Sequence, residues 1–169
     1  MLTPVFAACL AVIAPLTLDG PAPMVVPSNI VIAPSYRHLV AEMLRDSPTF
    51  RHQCSRLARA SDLRIEIGPS LMSGMSPDEA LTRIVRRPSG GMDADVELGA
   101  LGDPVLLIAH EFEHILEQLD GVDLPVMATR NATGVHLVRG SEHFETDRAI
   151  AAGRRVAQEV GQARARSGT

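Results

Sequence analysis

The chain has 169 residues, of which 46% are hydrophobic and 21% are charged. This composition is typical of one globular domain and excludes a disordered or fibrous protein. Its basic residues are all arginines, the net charge is −4 and aromatic residues make up only 3%. These values disfavour a nucleic-acid partner, because no basic surface with interleaved aromatic side chains is expected. A core of this size needs no structural metal, so a bound metal would require a functional reason.

The N-terminus has the pattern of a secretory leader. Residues 1–18 carry no charge, and an apolar run extends from Val5 to Leu18. The run is shorter than the about 20 residues that a membrane span requires. We therefore predict a leader at 1–22, no membrane span in the mature protein, and export to the periplasm or beyond if the leader is cleaved; otherwise the protein is cytoplasmic. A buried first strand or helix, or a lipid attached to Cys9, is the alternative.

The remaining chain is predicted to be one domain, 23–163, with a frayed tail at 164–169. No internal repeat or shift in composition indicates a second domain. If the leader is removed, Cys54 is the one remaining cysteine, which excludes an internal disulfide and favours a small core residue.

Several elements precede the central helix. Residues 29–32 are a candidate strand, and two helices are predicted from Ser35 to about Arg45 and from Ser47 to about Ala60. Alternating apolar and polar residues then predict half-buried strands. They lie at Leu63–Ile67 and Ala94–Leu98, and Thr82–Arg86 between them is a third candidate strand that lacks this alternation.

The central helix is the best-delimited element. Asp103 is a suitable N-cap, Pro104 fits the first turn and Gly121 fits the left-handed residue after a helix, so the sequence predicts a helix over 104–120. A last helix is predicted over 144–163. The fold class is therefore α+β, with a small antiparallel or mixed sheet of about three strands packed on the central helix, two N-terminal helices and one C-terminal helix.

The central helix carries the motif His-Glu-Phe-Glu-His at 110–114. At about 100° per residue, His110 and His114 lie about 40° apart on one face, where two imidazoles can bind one ion. Glu111 flanks that face and is placed to accept a proton from water. The apolar residues of the helix gather on the opposite side, as expected for a helix that packs on the core and turns its histidines toward a cleft. The alternative is an exposed charged face that carries two histidines.

With the later segment Phe144-Glu145-Thr146-Asp147-Arg148-Ala149, this motif resembles the zincin metallopeptidases, particularly the gluzincins, and a group of small, largely uncharacterised bacterial proteins. The resemblance implies a zincin-like fold, one Zn²⁺ per chain and hydrolysis of a peptide or protein substrate with Glu111 as general base. It also implies that strand 93–99 lies at the cleft edge and pairs with the substrate backbone. His136 or His143 is a candidate to stabilise the oxyanion.

A catalytic zinc usually has three protein ligands, and gluzincins supply the third as a glutamate from a later helix. The resemblance therefore assigns this role to Glu145, whose alternative role is that of an acid favoured by the helix dipole. Glu142 is a rival. Asp120 is another, but the glycine that lets the chain turn back in related sites is here Glu117. Glu117 itself is better placed to orient a ligand than to bind the metal.

Two other functions remain open from the sequence. The first is a metal-binding or scaffolding domain that keeps the zincin helix without turnover. The second is a helical di-metal carboxylate protein, since Glu111 and His114 also satisfy E-x-x-H. That site needs a second E-x-x-H, which the sequence lacks.

Overall fold

The computed structural model describes residues 25–70, 76–88, 90–130, 133–138 and 143–168; the leader predicted at 1–22, Cys9 and Glu142 lie outside these residues. The described helices are α1 (Arg37–Asp46), α2 (Pro48–Ala58), α3 (Pro104–Leu119), α4 (Leu124–Ala128) and α5 (Asp147–Ser167). The described strands are β1 (Ile30–Ile32), β2 (Leu63–Pro69), β3 (Ala80–Arg86), β4 (Met92–Leu98), β5 (Val135–Leu137) and β6 (Phe144–Thr146).

Four strands form a mixed sheet in the order β1-β2-β4-β3. The strands β1, β2 and β4 run parallel to one another, and β3 is antiparallel to β4. A separate antiparallel hairpin consists of β5 and β6. The predicted α+β class is confirmed, with a sheet that is mixed and one strand larger than expected because the short β1 joins it.

The prediction that strand 93–99 lies at the cleft edge is wrong. Ala94 on β4 is opposite Ile65 on β2 and opposite Ile84 on β3, so both sides of β4 are paired. The edge strands of this sheet are β1 and β3, and β3 is the one that lines the cleft. Alternation of apolar and polar residues shows that one face of a strand is buried, but it does not identify the strands that pair with it. For β4 one of these partners is the parallel strand β2.

The helices cover one face of the sheet. Buried and exposed residues alternate along β2, with Ile65 fully buried and Glu66 exposed on the opposite face. Phe50 of α2 stacks on Phe112 of α3 with ring centroids 5.4 Å apart, and both are inaccessible to solvent. Helix α3 thus packs against α2, α5 and β3, which fixes its orientation in the centre of the helical layer.

The boundaries predicted for α3 are confirmed. The side chain of Asp103 accepts a hydrogen bond from the backbone N–H of Val105 at 3.0 Å. Gly121 follows the helix with a φ of 74°, a conformation that costs glycine little.

Cys54 lies in the core as predicted, and burial raises the pKa of its thiol to about 12.

The prediction of a last helix over 144–163 is wrong at both ends. Phe144–Thr146 form β6, and the helix begins only where the Thr146 side chain accepts a hydrogen bond from the backbone N–H of Ala149 at 2.9 Å. The helix then continues to Ser167. Arg164, predicted to lie in a frayed tail, is helical and pairs with Glu42 of α1 at 2.8 Å.

Across the described segments, every helix is too short or too polar to cross a membrane.

Candidate metal centre

The two histidines of α3 face each other across one helical turn. Their Nε2 atoms are 3.1 Å apart, and each side chain is 13% exposed. Nitrogens at this distance can share one proton, or both can donate a lone pair to one cation. The spacing of His110 and His114 on the helix therefore places both imidazoles on one face, as the sequence predicted.

Glu145 joins the histidines from the hairpin of β5 and β6. Its Oε1 lies 3.2 Å from Nε2 of His110 and 3.7 Å from Nε2 of His114. One ligand atom from each of the three residues falls within 4.8 Å of the others. The predicted residue is thus at the site, but not for the predicted reason: it is held by strand pairing opposite His136, not by a helix that starts at Phe144.

These distances fit a divalent cation. Ligands about 2.0–2.1 Å from a tetrahedral zinc ion are separated from one another by about 3.3 Å, and the three separations here are 3.1, 3.2 and 3.7 Å. Two imidazoles with one carboxylate are a ligand set found in catalytic zinc sites. The residues present therefore fit one zinc ion without a large rearrangement.

The electrostatics of the cluster favour a positive charge at its centre. Burial lowers the pKa of His114, but hydrogen bonds with Glu117 and Glu145 outweigh burial and raise this pKa to about 10. Burial raises the pKa of Glu145, and hydrogen bonds with His110 and His114 bring it well below its ordinary value. The carboxylates thus stabilise a proton on His114 at the place where a cation would lie.

Glu117 orients His114 from behind. Its Oε2 lies 2.9 Å from Nδ1 of His114, and its Oε1 accepts a hydrogen bond from the hydroxyl of Thr146 at 2.7 Å. The glutamate is 2% exposed. Because Glu117 holds Nδ1, the other nitrogen of His114 is directed toward the cluster, which agrees with the predicted role of Glu117.

We expect Glu117→Gln to weaken zinc binding by about 10–100-fold, because an amide cannot hold the imidazole through a charge-assisted hydrogen bond. Competition with a chromogenic chelator measures the affinity. Glu66→Gln is the matched control, since Glu66 lies on the exposed face of the sheet, and its affinity should equal that of the unchanged protein. Equal zinc affinity in both variants would refute the role of Glu117.

A second network of hydrogen bonds and ion pairs connects α2, α3 and α5 on the side of α3 away from the cleft. Arg148 donates to Glu113 Oε1 at 2.6 Å and to Asp120 at 2.8 Å, and Gln53 donates to Glu113 Oε2 at 2.7 Å. Arg56 also pairs with Asp120. Asp120 is therefore engaged by two arginines away from the histidines, which argues against it as the third ligand.

Three residues of the Phe-Glu-Thr-Asp-Arg-Ala segment, at 144–149, contact side chains of α3. Glu145 contacts the histidines, Thr146 caps α5 and binds Glu117, and Arg148 binds Glu113. The parts played by Thr146 and Arg148 were not predicted. The available signal was the threonine followed by aspartate, a typical start of a helix.

Gly153 lets α5 approach α3 beside His110. A Cβ at this position would lie 2.9 Å from the backbone oxygen of Leu106 and 3.2 Å from Cβ of His110. The backbone of α5 therefore sets the distance between that helix and His110.

We expect Gly153→Ala to lower the free energy of unfolding by about 1–3 kcal/mol, because the added methyl overlaps the backbone of α3. Gly161→Ala on the same helix is the control. A Cβ added at Gly161 would meet no atom within 4 Å, and alanine there should stabilise the protein by about 0.5–1 kcal/mol. Urea denaturation measures both values, and stabilisation by both substitutions would contradict the close approach.

The cluster opens into a cleft of about 1260 Å³. The cleft is bounded by β3, α3, α4, α5 and the hairpin of β5 and β6. Glu111 lines it and is 5% exposed, and its carboxylate accepts no hydrogen bond from the described residues. His143 also lines the cleft, whereas His136 lies 3.4 Å from Asp147 and does not.

The fold and site thus define an α+β protein with a cleft that contains two histidines and a glutamate suited to bind a metal. Comparison with models of known families, with curated proteins and with solved structures gives no significant match.

Proposed function

We propose that the protein is a zinc-dependent hydrolase, and specifically a peptidase with a zincin-like arrangement of strand, cleft and metal-binding helix. The observation that carries this proposal is the convergence of His110, His114 and Glu145 in the cleft that Glu111 lines. The described residues offer three ligands at this cluster. A structural zinc site usually has four protein ligands, so a set of three favours catalysis over scaffolding.

In this proposal Glu111 is the general base. Its carboxylate lies next to the ligand pair in the chain and is free to accept a hydrogen bond from a water molecule in the cleft. A zinc ion held by the three ligands would lower the pKa of water to about 7 and polarise the scissile carbonyl. Glu111 takes the proton of the attacking water and then donates it to the leaving amine, which lets the peptide bond break.

The edge strand supports a peptide as the substrate class. In the described sheet, β3 is paired with β4 on one side only. Five of its seven residues line the cleft: Ala80, Leu81, Thr82, Ile84 and Arg86. An extended peptide can add to such an edge through backbone hydrogen bonds. We therefore transfer to β3 the role that the sequence suggested for strand 93–99.

Zinc reconstitution with a peptide-cleavage assay tests the proposal. Protein stripped with a chelator should bind one zinc per chain by metal analysis. Zinc should also restore cleavage of a mixed peptide library followed by mass spectrometry. Full zinc occupancy without cleavage of any peptide would support a scaffolding domain instead. Absence of zinc binding would overturn the metal centre as well.

A further inference from the structure

Three described arginines stand apart from the others. The side chains of Arg86, Arg130 and Arg154 make no hydrogen bond or ion pair with the part of the chain that the structure describes, whereas the other described arginines have partners. Arg86 and Arg154 line the cleft, and Arg130 does not. Two unpaired guanidinium groups thus face the cleft that holds the metal ligands.

Arg154 lies at the close contact between α5 and α3. It follows Gly153, whose backbone packs against Leu106 and His110. The next residue, Arg155, pairs with Glu159 one turn along α5. The positions three and four residues from Arg154 are Ile150, Ala151, Ala157 and Gln158. Helix α5 therefore offers Arg154 no acidic neighbour, while the packing at Gly153 fixes its backbone beside the site.

Arg86 lies on the opposite wall and toward the other end. Ala80 pairs with Leu98, and a Cβ at Gly102 would meet the backbone of Asp78, so the start of β3 lies beside the loop that leads into α3. Arg86 is at the other end of β3, about 20 Å from Ala80 at about 3.3 Å per residue. Arg154 follows Gly153, which packs against Leu106 in the first turn of α3. The two arginines therefore line different ends of the cleft, which His110 and His114 also line.

The carboxylates that line the cleft leave both arginines unpaired. Asp78 and Glu79 lie at the start of β3, and the side chain of Asp78 accepts a hydrogen bond from Ser76. Glu111 and Glu145 belong to the proposed metal site. None of these acids forms an ion pair with Arg86 or Arg154. Both guanidinium groups are thus available to a carboxylate of a bound molecule.

We propose that the cleft selects acidic peptides, with Arg86 and Arg154 binding substrate carboxylates on opposite sides of the scissile bond. This assignment of substrate class rests on the proposed peptidase function. Because an extended peptide along β3 passes the metal ligands between the two arginines, each arginine meets side chains on one side of the reacting bond.

Matched peptides test the proposal. An eight-residue peptide with glutamates on both sides of a cleavable central bond is compared with the peptide in which glutamine replaces each glutamate. We expect kcat/KM to be about tenfold higher for the acidic peptide, and Arg86→Gln or Arg154→Gln to lose most of this preference. Arg130→Gln is the control, because this unpaired arginine lies outside the cleft, and it should keep the preference.

A binding measurement separates this proposal from the proposed catalysis. Fluorescence anisotropy of the two labelled peptides on zinc-loaded Glu111→Gln protein reports recognition without turnover. If the unchanged zinc-loaded protein cleaves neither peptide but the acidic one binds more tightly through Arg86 and Arg154, the hydrolase proposal fails and the recognition proposal stands. Equal affinity for the two peptides, or an equal loss of preference in Arg130→Gln, overturns the recognition proposal. Circular dichroism melting confirms that each variant is folded.

Discussion

Glu111→Gln is expected to reduce peptide cleavage by about 10²–10⁴-fold while the protein still binds one zinc per chain. The amide cannot accept the proton of the attacking water, and general base catalysis contributes about this factor. Zinc binding should be preserved because the proposed ligand atoms belong to His110, His114 and Glu145 and not to Glu111. Single-turnover cleavage and metal analysis of the same sample measure both effects.

Glu113→Gln is the matched control within the same motif. Glu113 is buried and binds Gln53 and Arg148 between the helices, away from the cleft that Glu111 lines. This variant should lose thermal stability, because Arg148 loses a charged partner, yet it should cleave peptides normally below its melting temperature. Normal turnover in Glu111→Gln would refute Glu111 as the base.

The sequence predicted the elements whose signals are local. Asp103 and Gly121 are adjacent to the ends of α3, so capping chemistry alone located that helix. The alternation of Leu63–Ile67 and Ala94–Leu98 predicted β2 and β4 because every second residue faces the helices. Each of these patterns depends on neighbours within a few positions in the chain.

The elements that were mispredicted depend on distant partners. Strand β6 has three residues, too few to show a period, and it forms because Phe144–Thr146 pair with Val135–Leu137. The interior position of β4 depends on a parallel partner, β2, from which β3 separates it in the chain. Neither pairing leaves a local signal, because strand order is decided by the packing of the whole sheet.

In the candidate site, too, the features with a local sequence signal were predicted and those that depend on distant residues were not. The spacing of His110 and His114 on one helix was sufficient to predict that their imidazoles meet. Glu145 was selected by resemblance, and its place on a strand became visible only in the structure. Thr146 donates a hydrogen bond to Glu117, and Arg148 donates one to Glu113. The two residues of each pair are far apart in the chain, so the chemistry of Thr146 or Arg148 alone did not identify its partner.

Zinc affinity is expected to fall by at least about 100-fold in His110→Ala and to a comparable extent in Glu145→Ala. Zinc-finger peptides gain about 10–16 kcal/mol from four ligands, so one ligand contributes about 3 kcal/mol. In Glu145→Ala the partly buried imidazoles also lose the carboxylate that stabilises positive charge between them. Isothermal titration with zinc, in competition with a chelator of known affinity, measures the change.

Asp120→Ala distinguishes the proposed ligand from its rival on α3. Asp120 binds Arg56 and Arg148, so its removal should change thermal stability and leave zinc affinity within about twofold of the unchanged protein. The opposite result, with zinc binding lost in Asp120→Ala and kept in Glu145→Ala, would mean that the chain around α3 rearranges when it binds metal. Zinc binding kept in both variants would instead identify Glu142 as the residue to substitute next. The two histidines are common to the ligand sets with Glu145, Asp120 or Glu142, so His110→Ala should lose zinc in each case. Unchanged zinc binding in His110→Ala would refute the proposed metal centre.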